Sequence, residues 1–371
     1  MIRLTVPSID DEDLDAIRDV VASGFLIQGP HVADFEKAVA TMTGASHAVA
    51  VANGTCALQL ALGALDFGPG DICVMPAYSW VATANVVELC GGRPVFVDID
   101  AQTFNIDTGK LEQTLSKLGD QKVKAVMPVH AFGQMASMRE ITEICDALSI
   151  PVIEDAACAL GAKLDGRNAG TWSQMGCFSF HPRKAVTTGE GGMVITGDAS
   201  LARRLRALRN HGADPDSSTQ DFICAGYNYR LTEFQGAFGV VQMSKVERIV
   251  ARRREAAARY DKLLTNSPLT PPAVAAKAEH VYQAYVTLLP PEVAKRRPEI
   301  IRAAREQGVE LQIGTIHMPL TTYYRGRYNH RVGEFPVTDS VAARTLALPI
   351  YESITAEQQQ EVVEVTLALV T

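Results

Sequence analysis

Apolar residues recur along this chain in two patterns that alternate. Short runs such as His47–Val51, Ile72–Pro76, Pro94–Asp98 and Val123–Val129 are almost continuously apolar. Between them lie longer amphipathic stretches at Thr55–Leu65, Val81–Cys90, Thr108–Leu118 and Met138–Leu148. The first kind predicts strands buried on both faces, and the second predicts helices. Turn chemistry separates them at Asn53-Gly54 and at Gly68-Pro69-Gly70-Asp71. Upstream, residues 10–23 and 30–43 read as helices, the second with Pro30 in its first turn and Gly44 at its stop. A further strand at Val152–Glu154 extends the alternation to about residue 155. The pattern predicts an α/β chain with a mostly parallel sheet covered by helices on both faces.

Beyond it, Cys177–Phe180 and Met193–Thr196 read as strands and Ala199–Arg209 as a helix. A long helical stretch from about Thr232 to Leu264 ends before Pro268, Pro271 and Pro272. There follow a strand at Tyr282–Leu288, a helix at Pro298–Gln307, a strand at Val309–Ile313, a loop, and helices near 339–346 and 356–369. Residues 1–245 are therefore expected to form a large domain and residues 246–371 a smaller α+β domain. The division falls inside the long helix.

Composition narrows the function. Apolar residues make up 47% and charged residues 21% of the 371 residues, the balance of a globular protein. A net charge of −7 argues against nucleic acid as a partner, which needs a basic face. The densest basic run, Arg252-Arg253-Arg254, has Glu247 and Glu255 beside it and reads as a solvated helix face. No signal peptide and no membrane span are expected. None of the seven cysteines forms a C-x-x-C pair, so they read as reduced thiols of a cytoplasmic protein.

The most informative stretch is Phe178-Ser179-Phe180-His181-Pro182-Arg183-Lys184, followed by Thr187-Thr188-Gly189-Glu190-Gly191-Gly192. A lysine between an apolar run and a glycine-rich turn suits an amine held in a pocket, where desolvation favours the neutral nucleophile. A surface lysine is the alternative, and the flanking phenylalanines and glycines argue against it. Glu154-Asp155 ends a buried strand, and a buried aspartate there needs a cationic partner unless it caps a helix or joins a salt bridge. Asn53-Gly54-Thr55-Cys56 is either a phosphate cradle at a helix N-terminus or an ordinary turn with Thr55 as N-cap. Trp80 either covers a planar ligand at a strand's carboxyl end or packs in the core. Ser179 can add a hydroxyl to the phosphate site. Asn228, in Gly226-Tyr227-Asn228-Tyr229-Arg230, reads by default as part of a turn.

Together these segments, with Gly29-Pro30, Ala82-Thr83-Ala84-Asn85, Pro94–Asp98 and Pro128-Val129-His130, resemble the DegT/StrS family of sugar aminotransferases. These are pyridoxal 5'-phosphate (PLP) enzymes of fold type I, the aspartate-aminotransferase fold. The likeness runs from about Gly29 to Tyr260 and more loosely to the C-terminus. It implies that Lys184 forms a Schiff base with PLP and that Asp155 pairs with the pyridine nitrogen. It further implies that Trp80 stacks on the ring, that Gly54, Thr55 and Ser179 bind the phosphate, and that Cys56 belongs to the cofactor-binding set. Asn228 would reach the phosphate in a neighbouring subunit's site, so the active unit is expected to be a homodimer. Many relatives carry Gln or His where this chain has Cys158, near the cofactor's phenolic oxygen. Because Lys184 is present and His181 does not replace it, the dehydratase branch of the family is not expected.

The implied reaction moves an amino group from L-glutamate to a keto-sugar, on a nucleoside diphosphate, giving an amino-sugar. Acceptor recognition is assigned to Phe25–Gln28 and to Gln312–Arg327, with His317 and Tyr324 as substrate contacts. The basic character of the second segment suits a diphosphate as well as a solvated loop. Two rivals stay open at this point: an aminotransferase of a non-sugar ketone, and a non-catalytic sensor on the same fold.

Overall fold

The computed structural model describes residues 1–371. Seven strands build the central sheet: β1 (His47–Val51), β2 (Ile72–Pro76), β3 (Arg93–Val97), β4 (Val123–Val126), β5 (Ile153–Asp155), β6 (Met175–Ser179) and β7 (Gly192–Thr196). Two ladders, β3-β2-β4 and β5-β6-β7-β1, are joined by parallel bridges Val126–Val152 and Val129–Asp155. Only β7 runs against the others, pairing antiparallel with β1 and β6. The sheet is therefore mostly parallel, with its carboxyl ends on one edge where such sheets bind ligands. β4 stops at Val126, short of Val129, because Pro128 has no N–H to give the ladder.

Helices α1 (Asp11–Ser23), α2 (Pro30–Thr43), α3 (Gly54–Ala64), α4 (Ala82–Leu89), α5 (Thr108–Leu118), α6 (Met138–Ala147) and α7 (Ala199–Arg209) occupy the expected stretches. Phe178 and Phe180, which flank Ser179, are buried, and Phe35 of α2 meets Phe180 edge-on at 4.8 Å. Each buried ring contributes about 1.5–3 kcal/mol and fixes the strand that leads to Lys184.

The long helical stretch is two helices, α8 (Glu233–Ser244) and α9 (Val246–Leu263), separated at Lys245. That lysine is buried and holds Asp10 at 2.6 Å and Asp13 at 2.7 Å. Arg253 of α9 corrects the expectation of a solvated basic face. It is 2% exposed, its guanidinium is pushed down to about 10 by burial, and it donates to the carbonyls of Tyr282 and Gln283. A helix turns a residue inward every three to four positions, whatever the charge of the run.

The remainder holds α10 (Arg297–Glu306), α11 (Thr322–Tyr328), α12 (Pro336–Arg344), α13 (Ala356–Val370) and an antiparallel pair, β8 (Tyr285–Leu288) with β9 (Thr345–Leu348). Three local expectations are corrected. Residues 309–313 make only isolated bridges, to Ile2 and Ala347. The helix expected to reach residue 346 ends at Arg344, because Thr345–Leu348 pairs as a strand instead. Helix α11 lies in the segment read as a loop. Many contacts cross the division at residue 245, among them the pairing of Ala278–Glu279 with Lys163–Leu164. Ile2 packs in the apolar cluster of residues 256–370, and Ile316–His317 pairs with Tyr78–Ser79 beside the large sheet.

Candidate active site

Strand ends bring the chemistry together. Asp155 is the last residue of β5 and Ser179 the last of β6, two parallel neighbours. Side chains alternate across a strand, so adjacent Glu154 and Asp155 face opposite ways. Glu154 is fully buried and takes hydrogen bonds from the amides of Gly170 and Trp172 and from Ser173, with His130 Nε2 at 2.9 Å. It is a structural hub, which leaves Asp155 as the carboxylate of the site.

Asp155 is 5% exposed. Its Oδ2 accepts from Thr83 Oγ1 at 2.8 Å and its Oδ1 from the Ala157 amide at 3.2 Å. Burial raises its pKa, against the Thr83 and Ala157 hydrogen bonds and the charges of Lys184 and His130. A buried acid shifted this way lacks a close cation, and a protonated ring nitrogen is such a cation. Thr83 has no role in the sequence reading. Its signals were its place in the first turn of α4, after Trp80, and its inclusion in the Ala82-Thr83-Ala84-Asn85 segment of the resemblance. It links Ser79 Oγ at 3.2 Å to Asp155 and so fixes the carboxylate's rotation. Thr83→Val leaves a buried acceptor short of a donor and is expected to lower stability by about 1–3 kcal/mol, read from chemical denaturation midpoints.

Lys184 sits on a loop braced from both sides. Its amide bonds to His181 O at 2.8 Å, and the Thr188 amide and Thr187 hydroxyl both return to Phe180 O. Gly189 closes the turn with φ +81, a conformation that favours glycine. Gln283 also escaped the sequence reading. Its Oε1 accepts the Ala185 amide at 2.9 Å and its Nε2 donates to Arg183 O, clamping the backbone on either side of Lys184. Arg253 in turn holds the Gln283 carbonyl. Gln283→Ala is expected to lower kcat by up to about 10²-fold through misplacement of the amine, with the fold intact by circular dichroism. Lys184 Nζ points at Cys158 Sγ, 2.9 Å away, its one polar contact.

The Asn53–Cys56 turn is the third component. The N-cap of α3 is Asn53, not Thr55: Asn53 Oδ1 takes the Cys56 amide at 2.9 Å. Thr55 is exposed, and the first-turn amides of Gly54 and Thr55 remain available to an anion. A Cβ on Gly54 would lie 2.8 Å from Ser179 Cβ, so glycine permits the close approach of the serine hydroxyl to the helix N-terminus. Cys56 contributes its position in that turn, and its half-buried thiol is pushed up by desolvation.

The other sequence-assigned residues are placed as follows. Trp80 is 65% exposed, directly after the Tyr78–Ser79 strand. Asn228 is exposed, and no contact within the chain joins it to Lys184 or Asp155. His317 bonds Asp339 through Nε2 at 3.0 Å, while its buried Nδ1 has no partner. Tyr324 is corrected. It is 1% exposed, packs edge-on against Phe96 at 5.6 Å and spends its hydroxyl on Asn85, so it serves the core and offers no surface to a substrate. The apolar face of α11 draws the ring inward.

A lysine amine with a single polar contact, a buried carboxylate short of a cation and a helix N-terminus lined by a serine match the parts of PLP: aldehyde, ring nitrogen and phosphate. The residues fit that cofactor. Residues 7–366 match the model of the DegT/DnrJ/EryC1/StrS aminotransferase family. The chain is 37% identical to the GDP-perosamine synthase of Caulobacter vibrioides over 312 residues, 83% of each chain. It is similar in structure to Helicobacter pylori PseC, an aminotransferase involved in the biosynthesis of pseudoaminic acid. There the TM-score is 0.92 at 27% identity, covering 100% of this chain and 99% of the other. A putative sugar aminotransferase of Streptococcus pneumoniae in its PMP form gives a TM-score of 0.93 at 25% identity, covering 99% and 97%. The chain therefore belongs to the DegT/DnrJ/EryC1/StrS family and is a PLP-dependent aminotransferase of fold type I.

Proposed function

We propose that this enzyme takes the amino group of L-glutamate and delivers it to a keto-sugar carried on a nucleoside diphosphate, releasing an amino-sugar. The observation that carries the reading is the meeting of Lys184, Asp155 and the Gly54–Ser179 contact at one end of the sheet. Relatives named for GDP-perosamine and pseudoaminic acid support a sugar as the acceptor.

PLP, when bound, supplies the electron sink that lets a proton leave the carbon bearing the amine. The chain supplies the rest. Asp155 pairs with the ring nitrogen. Ser179 and the amides of Gly54 and Thr55 hold the phosphate, with Cys56 behind them, its amide fixed by Asn53. Trp80 provides a stacking face, and Cys158 faces the phenolic oxygen. Lys184 Nζ anchors the cofactor and then carries the proton as general base and acid. Asn228, free of contacts to its own site, reaches the phosphate in the partner subunit of a homodimer. His317, whose Nδ1 has no partner, and Gln28, whose Oε1 has none, are the residues of the two acceptor segments assigned to the acceptor. No helix is long and apolar enough to cross a membrane, and a cytoplasmic setting is part of the proposal.

The test is incubation of the PLP-loaded enzyme with L-glutamate and a panel of nucleotide keto-sugars, read by mass. One amino-sugar with release of 2-oxoglutarate is expected. Amination of a non-sugar ketone with every nucleotide sugar refused overturns the acceptor assignment.

A further inference from the structure

We propose that Cys158 and Lys184 form a modification site: in the cofactor-free chain, peroxide joins Cys158 Sγ to Lys184 Nζ through a reversible covalent bond. The two atoms are 2.9 Å apart and Nζ has no other polar partner. Both side chains are partly exposed, so peroxide can reach them. Both backbones are held: Cys158 lies three residues beyond the end of β5, and Lys184 lies in the loop clamped by Gln283. A thiol held against an amine in an accessible site is placed for oxidation followed by capture of the oxidised sulfur.

No other cysteine has this geometry. Cys73, Cys145 and Cys177 are buried, and burial pushes their thiols up. Cys56 and Cys90 are half-buried with the same shift, and Cys224 is exposed without a lysine contact.

The chemistry balances with hydrogen peroxide as oxidant. Sulfur attacks the peroxide, the O–O bond breaks, an S–O bond forms, and water leaves from the thiol proton and the departing hydroxide. The Nζ lone pair then attacks sulfur, an S–N bond forms, the S–O bond breaks, and the hydroxide takes an amine proton as a second water. Thiol plus amine plus peroxide gives a sulfenamide and two waters, with sulfur oxidised by two electrons and peroxide reduced by two. Two equivalents of a thiol reductant return the thiol and the amine and leave the reductant as its disulfide. The link removes the amine that anchors PLP, so it closes the site to cofactor. That consequence rests on the proposed role of Lys184, whereas formation of the link does not.

The test treats the full cofactor-free chain with stoichiometric hydrogen peroxide, digests it with trypsin and reads peptide masses. The peptides Glu140–Lys163 and Lys184–Arg203 are expected to be joined, two hydrogens lighter than their sum, and to separate with dithiothreitol. PLP uptake, followed by its visible band, is expected to fall and recover in step. Cys158→Ser is expected to form no link, and its PLP uptake is expected to be unchanged by peroxide. Recovery of Cys158 as a sulfinic acid or a disulfide with Lys184 free overturns the proposal, as does equal linkage in the PLP-loaded enzyme. If the untreated chain takes up no PLP, the cofactor assignment fails, and the peptide masses still decide the link.

Discussion

Lys184→Ala is expected to lose at least about 10²–10⁴-fold in turnover, the ordinary contribution of a positioned general acid–base. The loss is a minimum, because the same amine is proposed to anchor the cofactor. The wild-type protein loaded with PLP is expected to be yellow and to be bleached by borohydride, with the reduced cofactor found on the peptide that carries Lys184. The variant is expected to show neither. Lys184→Arg is expected to behave alike, since a guanidinium keeps its charge and does not deprotonate. Near-normal turnover by Lys184→Ala would sink the assignment.

Asp155→Asn has the second largest expected effect, and its sign differs between activity and stability. In the proposed role the carboxylate keeps the ring nitrogen charged in the loaded enzyme, and its loss is expected to lower kcat by about 10²–10³-fold, as for other fixed electrostatic groups. In the cofactor-free chain the raised pKa means that the folded state holds the proton more tightly than the unfolded state does. The contribution of Asp155 therefore favours folding in acid and is lost as pH rises through the folded-state pKa. At neutral pH the cofactor-free variant is expected to melt higher than wild type. The difference is expected to shrink as pH falls towards about 4, the ordinary range of an aspartate. Adding PLP is expected to reverse the order, because only wild type gains the ion pair. Thermal melts across pH, with and without cofactor, check all three statements. Thr83 can turn its hydroxyl to accept from the new amide, so the substitution is expected to leave the packing intact.

Particular residues show where sequence reading stops. The seven sheet strands were legible because each is a short apolar run, and that signal is local. The candidate positions Lys184, Asp155, Gly54 and Ser179 could be picked out because each stands at a strand end or a turn, and the structure places them as described. Thr83 and Gln283 could not, since a threonine in a helix and a glutamine before a strand look like any others. Their roles come from the partner they meet: Asp155 is 72 residues from Thr83, and Ala185 is 98 from Gln283. Arg253 and Tyr324 misled for the opposite reason. Their residue types suggest solvent or substrate, and the helix face on which they fall turns them inward.

The amino-acid sequence by itself determined the order of strands and helices, the parallel character of the sheet and the lysine at its carboxyl edge. Periodicity and turn residues act over a few positions and need no partner. Only the tertiary structure decided which of two adjacent carboxylates serves the site, because strand alternation gives Glu154 to His130 and the Gly170–Ser173 turn and leaves Asp155 for the ligand. The same holds for the pairing of Lys184 with Cys158 across 26 residues. Packing sets such contacts, and packing depends on the whole chain at once.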